Sequence, residues 1–78
     1  MKLEKIEDGY AVVAMPTNGL ETAIAEVALD EEEDVLVYFP EENLAFGSMG
    51  ELEEFLDLIR VAAQAILSEE EVDPEYLS

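Results

Sequence analysis

This 78-residue chain has no cysteine, no histidine and only three lysines and arginines in total. Without cysteine no disulfide can form, and without cysteine or histidine a structural zinc site is excluded. The same absences exclude the cysteine–histidine and serine–histidine pairs that activate a catalytic nucleophile. A function that depends on binding is therefore favoured over catalysis.

The scarcity of basic residues leaves 21 acidic residues nearly unopposed, and the net charge is −18. Half of the residues are nevertheless apolar, whereas a disordered acidic tail lacks the apolar residues that collapse requires. We therefore expect a folded domain with an acidic surface. Such a surface repels nucleic acid and anionic membranes and attracts basic proteins, so the expected partner is a basic, nucleic-acid-binding protein.

The length indicates a single domain over residues 1–78, small enough to bury only about 60% of its unfolded surface. The first residues are charged, which predicts no signal peptide. No apolar run approaches the roughly 20 residues that span a bilayer. Since a chain without cysteine also suits a reducing compartment, we expect a soluble cytoplasmic protein.

Turn signals divide residues 1–47, which we expect to be mainly β. Asp8-Gly9 and Asn18-Gly19 suit tight hairpin turns. Residues 10–15 and 35–39 are continuous, β-branched and aromatic runs, typical of central strands covered on both faces. With the shorter apolar segments around them, they predict an antiparallel meander of four to five strands.

Residues 20–29 fit either a helix or a strand. As a helix they place apolar residues on one stripe, with Asn18 and Glu21 as a partial capping box. As a strand they complete a hairpin with residues 10–15. The acidic run 30–34 would lie at the C-terminus of the helix, where the dipole disfavours anions, so we favour the strand.

A long helix is predicted over residues 48–69. Ser48 can cap it, with Glu51 three residues later, and Pro74 prevents its continuation. Its predicted apolar stripe comprises Leu52, Phe55, Leu56, Ile59, Ala62, Ala63, Ile66 and Leu67. The predicted fold class is therefore α+β, an antiparallel meander packed against one long C-terminal helix. Residues 70–78 are expected to form a frayed acidic tail rather than a docking motif.

The second half of this helix is apolar nearly all round, from Val61 to Leu67. A helix packed on one sheet needs only one apolar stripe, so a second apolar face indicates a second partner. We expect a homodimer through Val61, Ala62, Ala65 and Ile66, although scattered exposed apolar residues are also ordinary.

Two other uses of the carboxylates are disfavoured. A catalytic carboxylate pair needs a concave site that a small meander has little room for. Asp30 and Glu41 have the separation of the ends of a calcium loop, but Val35 stands where that loop requires glycine. We therefore predict no catalytic residues, no metal site and no cofactor.

Charge spacing on the helix points to a different use. Carboxylates three or four residues apart lie about 5–6 Å apart on a helix, close to the spacing of successive phosphates on a nucleic-acid strand. Glu51, Glu54 and Asp57 form such a row with Glu53 beside it. The predicted partner-binding residues are the four of this row together with those of two acidic turns. The turn residues are Glu31, Glu32, Glu33 and Asp34 in the first turn and Glu41 and Glu42 in the second.

In size, charge, composition and expected α+β fold, the whole chain is similar to small phage-encoded inhibitors that mimic DNA, such as anti-CRISPR, anti-restriction and uracil-glycosylase inhibitor proteins. The resemblance implies a non-enzymatic protein that occupies the basic nucleic-acid channel of a CRISPR effector, nuclease or repair enzyme in a host cytoplasm. The alternative is a small acidic adaptor dimer that interacts through the apolar face of its C-terminal helix.

Overall fold

Four strands, one long helix and a short 3₁₀ turn make up a computed structural model that describes residues 1–14, 22–40 and 43–77. The strands are β1 (Lys2–Ile6), β2 (Gly9–Ala14), β3 (Thr22–Leu29) and β4 (Val35–Tyr38). The helix α1 spans Met49–Ser68, and the 3₁₀ turn spans Pro74–Tyr76. The predicted α+β class, a meander followed by one long helix, is confirmed.

The strands form one antiparallel sheet in the order β1-β2-β3-β4. The strand interpretation of residues 20–29 is confirmed from Thr22 onward, since Ala25 and Val27 of β3 pair with Val12 and Tyr10 of β2 and are fully buried. The apolar segment 44–46, which was the candidate for a fifth strand, has no regular structure. Leu44 and Phe46 pack against the core, whereas Ala45 is exposed. Most of the hairpin turn predicted around Asn18-Gly19 lies outside the described residues.

Close contact between β2 and β3 explains the glycine that opens β2. A Cβ atom at Gly9 would lie 2.0 Å from the backbone oxygen of Val27. Only glycine therefore allows the two backbones to approach at this point.

The helix begins as the sequence predicts. Ser48 is the N-cap, and its hydroxyl accepts a hydrogen bond of 3.2 Å from the Glu51 N–H. The Glu51 carboxylate reaches back to accept a 2.7 Å hydrogen bond from the Gly47 N–H. The helix ends at Ser68, and Glu69 adopts the left-handed conformation with φ of 56°. Two of the backbone groups left unpaired at the helix start are thus satisfied by nearby side chains.

The face of α1 that packs on the sheet differs from the predicted stripe. The buried helix residues are Phe55, Leu58, Ala62 and Ala65, and they contact core residues of β1, β2 and β3. Leu56 and Leu67, which were predicted to be buried, are 53% and 63% exposed. Since apolar residues cover more than half of the circumference of this helix, periodicity alone could not select the core-facing half.

Two of the four residues predicted to form a dimer face, Val61, Ala62, Ala65 and Ile66, are buried within the single chain. Ala62 is fully buried and Ala65 is 9% exposed, both in the core of the single chain. Val61 and Ile66 are half-buried and pack against that core. The two alanines are therefore unavailable to a second copy, whereas Val61 and Ile66 keep part of their surface accessible.

Residues 70–77 pack against the sheet instead of fraying. Val72 is 4% exposed, and Leu77 forms a parallel bridge with Leu3 on the outer edge of β1. Asp73 caps the 3₁₀ turn by accepting a 2.9 Å hydrogen bond from the Glu75 N–H. The apolar residues of this segment overcome the mutual repulsion of its acids.

Candidate functional site

Two acidic turns lie side by side at one end of the sheet. Ile6 pairs with Gly9 across the β1–β2 turn, Gly9 pairs with Ala28, and Leu29 pairs with Val35 across the β3–β4 turn. Both turns therefore leave the sheet at the same end. They bring Glu7 and Asp8 next to the acidic run 30–34.

The C-terminus of the helix reaches this same end. The Lys5 ammonium lies 3.4 Å from the Glu71 carboxylate, and Lys5 is next to the last residue of β1. The backbone N–H of Val72 donates a 3.2 Å hydrogen bond to the Tyr10 hydroxyl, and Tyr10 follows the first residue of β2. Residues 69–71 therefore lie at the same end of the molecule as the two turns, beside the β1–β2 turn.

We call this end of the molecule the acidic pole. Ten of the 21 acidic residues of the chain lie at this end, and all ten are exposed. They are Glu7, Asp8, Asp30, Glu31, Glu32, Glu33, Asp34, Glu69, Glu70 and Glu71. Lys5 opposes them with an exposed ion pair to Glu71 (side chains 62% and 86% exposed), a type of contact worth at most about 1 kcal/mol.

The β3–β4 turn is held by one of its own carboxylates. Asp30 accepts hydrogen bonds from the backbone N–H groups of Glu32, at 2.8 Å, and Asp34, at 2.9 Å. The Asp30 N–H also donates to the Asp34 carbonyl oxygen at 2.9 Å. The Asp30 carboxylate is thus used to shape the turn, which leaves the carboxylates of residues 31–33 exposed to a partner.

The two residues with left-handed backbone among the described non-glycine residues are both glutamates of the acidic pole. Glu33 has φ of 64° in the β3–β4 turn, and Glu69 has φ of 56° at the end of the helix. Glycine or asparagine is favoured in this conformation, and other residues cost about 1 kcal/mol or more. Both positions therefore carry a charge where backbone conformation favours a different residue.

The helix row predicted from the sequence lies away from the acidic pole, toward the start of α1. Asp57, its last member, is twelve residues before Glu69, which corresponds to about 18 Å along a helix. The structure thus separates the helix row from Glu31, Glu32, Glu33 and Asp34, while Glu41 and Glu42 lie outside the described residues.

Three of the four helix carboxylates are already bound within the chain. Glu51 accepts the hydrogen bond from Gly47, and Glu54 lies 3.4 Å from the N-terminal ammonium group. Asp57 forms an ion pair with Arg60, and this hydrogen bond and the charge of Asp57 raise the pKa of the Arg60 guanidinium above its ordinary value. Glu53 has no such contact with the described residues.

Sequence reasoning found the run 31–34 but missed Glu7, Asp8 and the three glutamates after the helix as parts of one surface. The first two could have been found, because alternate turns of a meander lie at the same end of the sheet. The three glutamates after the helix could not have been found from the sequence, since their position depends on the packing of residues 70–77.

Comparison of the chain with protein-family models, with curated proteins and with solved structures found no match. In the described part of the chain, no three acidic side chains are grouped closely enough to hold a metal ion. The one long helix there is too polar to cross a membrane.

Proposed function

We propose that this protein is a non-enzymatic inhibitor that binds the nucleic-acid-binding surface of a basic target protein. The acidic pole enters the basic site, and its carboxylates take the places of nucleic-acid phosphates beside the lysine and arginine side chains of the target. The target class includes CRISPR effectors, nucleases and other DNA-binding proteins, and the site of action is the cytoplasm of the host cell. The protein itself binds neither nucleic acid nor membrane.

The observation that carries the proposal is the concentration of ten carboxylates at one end of the molecule. The accessible surface is 5597 Å² and the net charge is −18, so each net charge has about 310 Å² on average. Duplex DNA, treated as a cylinder of about 10 Å radius, has about 110 Å² per charge. Only a local concentration of carboxylates can approach the charge density of DNA, and the acidic pole gathers ten of the 21 acidic residues at one end.

A second line of support is that the acidic pole opposes local structural preferences. Glu33 and Glu69 occupy left-handed positions, and residues 69–71 follow the C-terminus of α1, which has no basic residue in its last turn. The helix dipole disfavours anions there by a few tenths of a kcal/mol each. Sites where residues conflict with local preference are expected to be functional.

The experiment compares two double variants with the same change in net charge. Glu32→Lys/Glu70→Lys alters the acidic pole, whereas the control Glu4→Lys/Glu75→Lys alters exposed acids outside it. Each variant and the unmodified protein are immobilised and exposed to a lysate of host cells. A target should be retained by the unmodified protein and by the control but not by the acidic-pole variant.

The retained protein is then tested for competition. It should bind labelled DNA or RNA, and the unmodified protein should displace that label. Retention of the same protein by the acidic-pole variant, or simultaneous binding of nucleic acid and this chain, would refute the proposal.

One observation favours the adaptor alternative, namely the exposed apolar side chains of the helix. Met49, Leu56 and Leu67 are between 53% and 66% exposed. In an adaptor these side chains carry the interaction and the acids only keep the protein in solution. Binding through them would persist at high salt, whereas binding through the acidic pole would not.

A further inference from the structure

A row of apolar residues runs the length of α1 outside the core-facing side. The row comprises Met49, Leu52, Leu56, Ile59, Ala63 and Ile66, and we call it the lateral row. Met49 and Leu56 are 66% and 53% exposed, and the other four are half-buried. Of these four, Ile59, Ala63 and Ile66 also contact the edge of the core of their own chain. The spacing of the lateral row alternates between three and four residues, which is the pattern of positions a and d in a helix that packs on another helix.

The lateral row lies about a third of a turn from the core-facing residues Phe55, Leu58, Ala62 and Ala65, since each residue advances about 100° around a helix. The sheet therefore covers one side of the helix, and on this second apolar side it leaves Met49 and Leu56 exposed and the other four side chains partly accessible.

We propose that the lateral row binds the lateral row of a second copy, with the two helices antiparallel. A two-fold axis near residues 57 and 58 then places Met49 opposite Ile66, Leu52 opposite Ala63, and Leu56 opposite Ile59. The two-fold axis repeats each of these three pairs, and the resulting six layers of paired side chains are all apolar.

Charge complementarity supports this register. Glu53 and Arg60 flank the lateral row seven residues apart, both at the heptad position that follows d. In the antiparallel register Glu53 of each copy lies opposite Arg60 of the other, which gives two ion pairs. Arg60 is the only arginine in the chain, and it lies where a second copy presents a carboxylate.

The antiparallel direction also separates the two acidic poles. Each acidic pole lies at the C-terminal end of its helix, so antiparallel helices place the two at opposite ends of the dimer. Their separation then exceeds the Debye length of about 8 Å at physiological salt several-fold. A parallel pair would place twenty carboxylates side by side.

The first test is sedimentation equilibrium of the full chain, with Leu56→Lys compared with Leu36→Lys. The two leucines are matched, with exposures of 53% and 52%, but Leu36 lies on β4. We expect a dimer for the unmodified protein and for Leu36→Lys. For Leu56→Lys the dissociation constant should rise about 100-fold or more, because two buried leucines are lost per dimer.

If the unmodified protein is monomeric at about 100 μM, the proposal is overturned, because the dissociation constant of a specific dimer lies well below that concentration. Loss of the dimer in Leu36→Lys with retention in Leu56→Lys would also overturn it and show instead that the copies pair through the face of β4 that carries Leu36.

The second test is a charge exchange that tests the register. Glu53→Arg and Arg60→Glu should each raise the dissociation constant about tenfold by facing like charges across the dimer. The double variant restores the pairing and has the net charge of the unmodified protein, so it should restore the affinity. The antiparallel register would be refuted if the single variants dimerised with the affinity of the unmodified protein. It would also be refuted if the double variant dimerised more weakly than either single variant.

A spin label checks the direction independently, because the chain has no cysteine of its own. In the antiparallel dimer, the labels at Ser68→Cys of the two copies should lie about 30 Å apart along the helix axis. A label separation of about 10–15 Å, which neighbouring parallel helices give, would contradict the proposal.

Discussion

The hydroxyl oxygen of Tyr10 accepts a 3.2 Å hydrogen bond from the backbone N–H of Val72, 62 positions away along the chain. Both residues are at most 5% exposed. This contact joins the C-terminal segment to β2 and holds the glutamates that follow the helix beside the two acidic turns. It thus connects the packing of the core to the charge of the acidic pole.

Tyr10→Phe should lower the free energy of unfolding by about 1–2 kcal/mol, because it leaves the buried Val72 N–H without an acceptor. Tyr38→Phe is the control, since Tyr38 is 55% exposed, and it should change stability by less than about 0.5 kcal/mol. Urea unfolding measures both values. Faster hydrogen exchange over residues 70–77 is expected in Tyr10→Phe alone, and equal effects of the two variants would contradict the assigned contact.

Gly9→Ala should destabilise the fold by about 1–3 kcal/mol or more, since the new methyl group would lie 2.0 Å from the Val27 carbonyl oxygen. Gly50→Ala is the matched control in the first turn of the helix. Its methyl group would have Ser48 Oγ as nearest neighbour, at 3.7 Å, and alanine favours the helix by up to about 1 kcal/mol. Thermal unfolding should therefore shift down in the first variant and up or not at all in the second.

Ser48→Ala should cost about 1 kcal/mol of stability, because the Glu51 N–H loses its acceptor at the start of the helix. Glu51→Lys should also destabilise the protein, since it removes the acceptor of the Gly47 N–H. Neither change alters the acidic pole. Calorimetry should show the loss of stability. At a temperature where the variants are folded, the affinity for the target should change less than about threefold. A larger loss of affinity in Glu51→Lys would show that the helix row contacts the target.

Glu33→Gly and Glu69→Gly should change stability and binding in opposite directions. Glycine relieves the left-handed backbone at φ of 64° and 56°, so each change should raise the free energy of unfolding by up to about 1 kcal/mol. Each also removes one carboxylate of the acidic pole, so affinity for the target should fall. If either variant lowers stability, or if binding is unchanged in both, these glutamates do not have the role assigned to them.

The fold was largely predictable from the sequence because its signals are local. Turn residues, the Ser48 cap and the long apolar helix each determine a nearby piece of backbone. The choice of helix face was not predictable, since both the core-facing residues around Ala62 and the row through Leu56 have helical spacing. That choice depends on which side chains fit against the sheet, and the small side chains of Ala62 and Ala65 are among those that do.

The candidate site was predictable only in part. The acidic run 30–34 is visible in the sequence, but Asp30 binds the backbone of its own turn. The helix row has the expected spacing, yet Glu51, Glu54 and Asp57 have partners within the chain. Charge spacing indicates which carboxylates can lie together, whereas the contacts of the folded chain decide which of them are available to a partner.

The most direct test of the central claim is the dissociation constant of the target complex, measured from about 50 to about 500 mM salt for the unmodified protein, Glu32→Lys/Glu70→Lys and Glu4→Lys/Glu75→Lys. If the acidic pole replaces nucleic-acid phosphates, affinity of the unmodified protein falls steeply with salt, because several charge contacts are screened together. The acidic-pole variant should bind more weakly and with a shallower salt dependence, while the control keeps most of the affinity and the steep dependence. An affinity that is insensitive to salt, or equal losses in the two double variants, would contradict the claim.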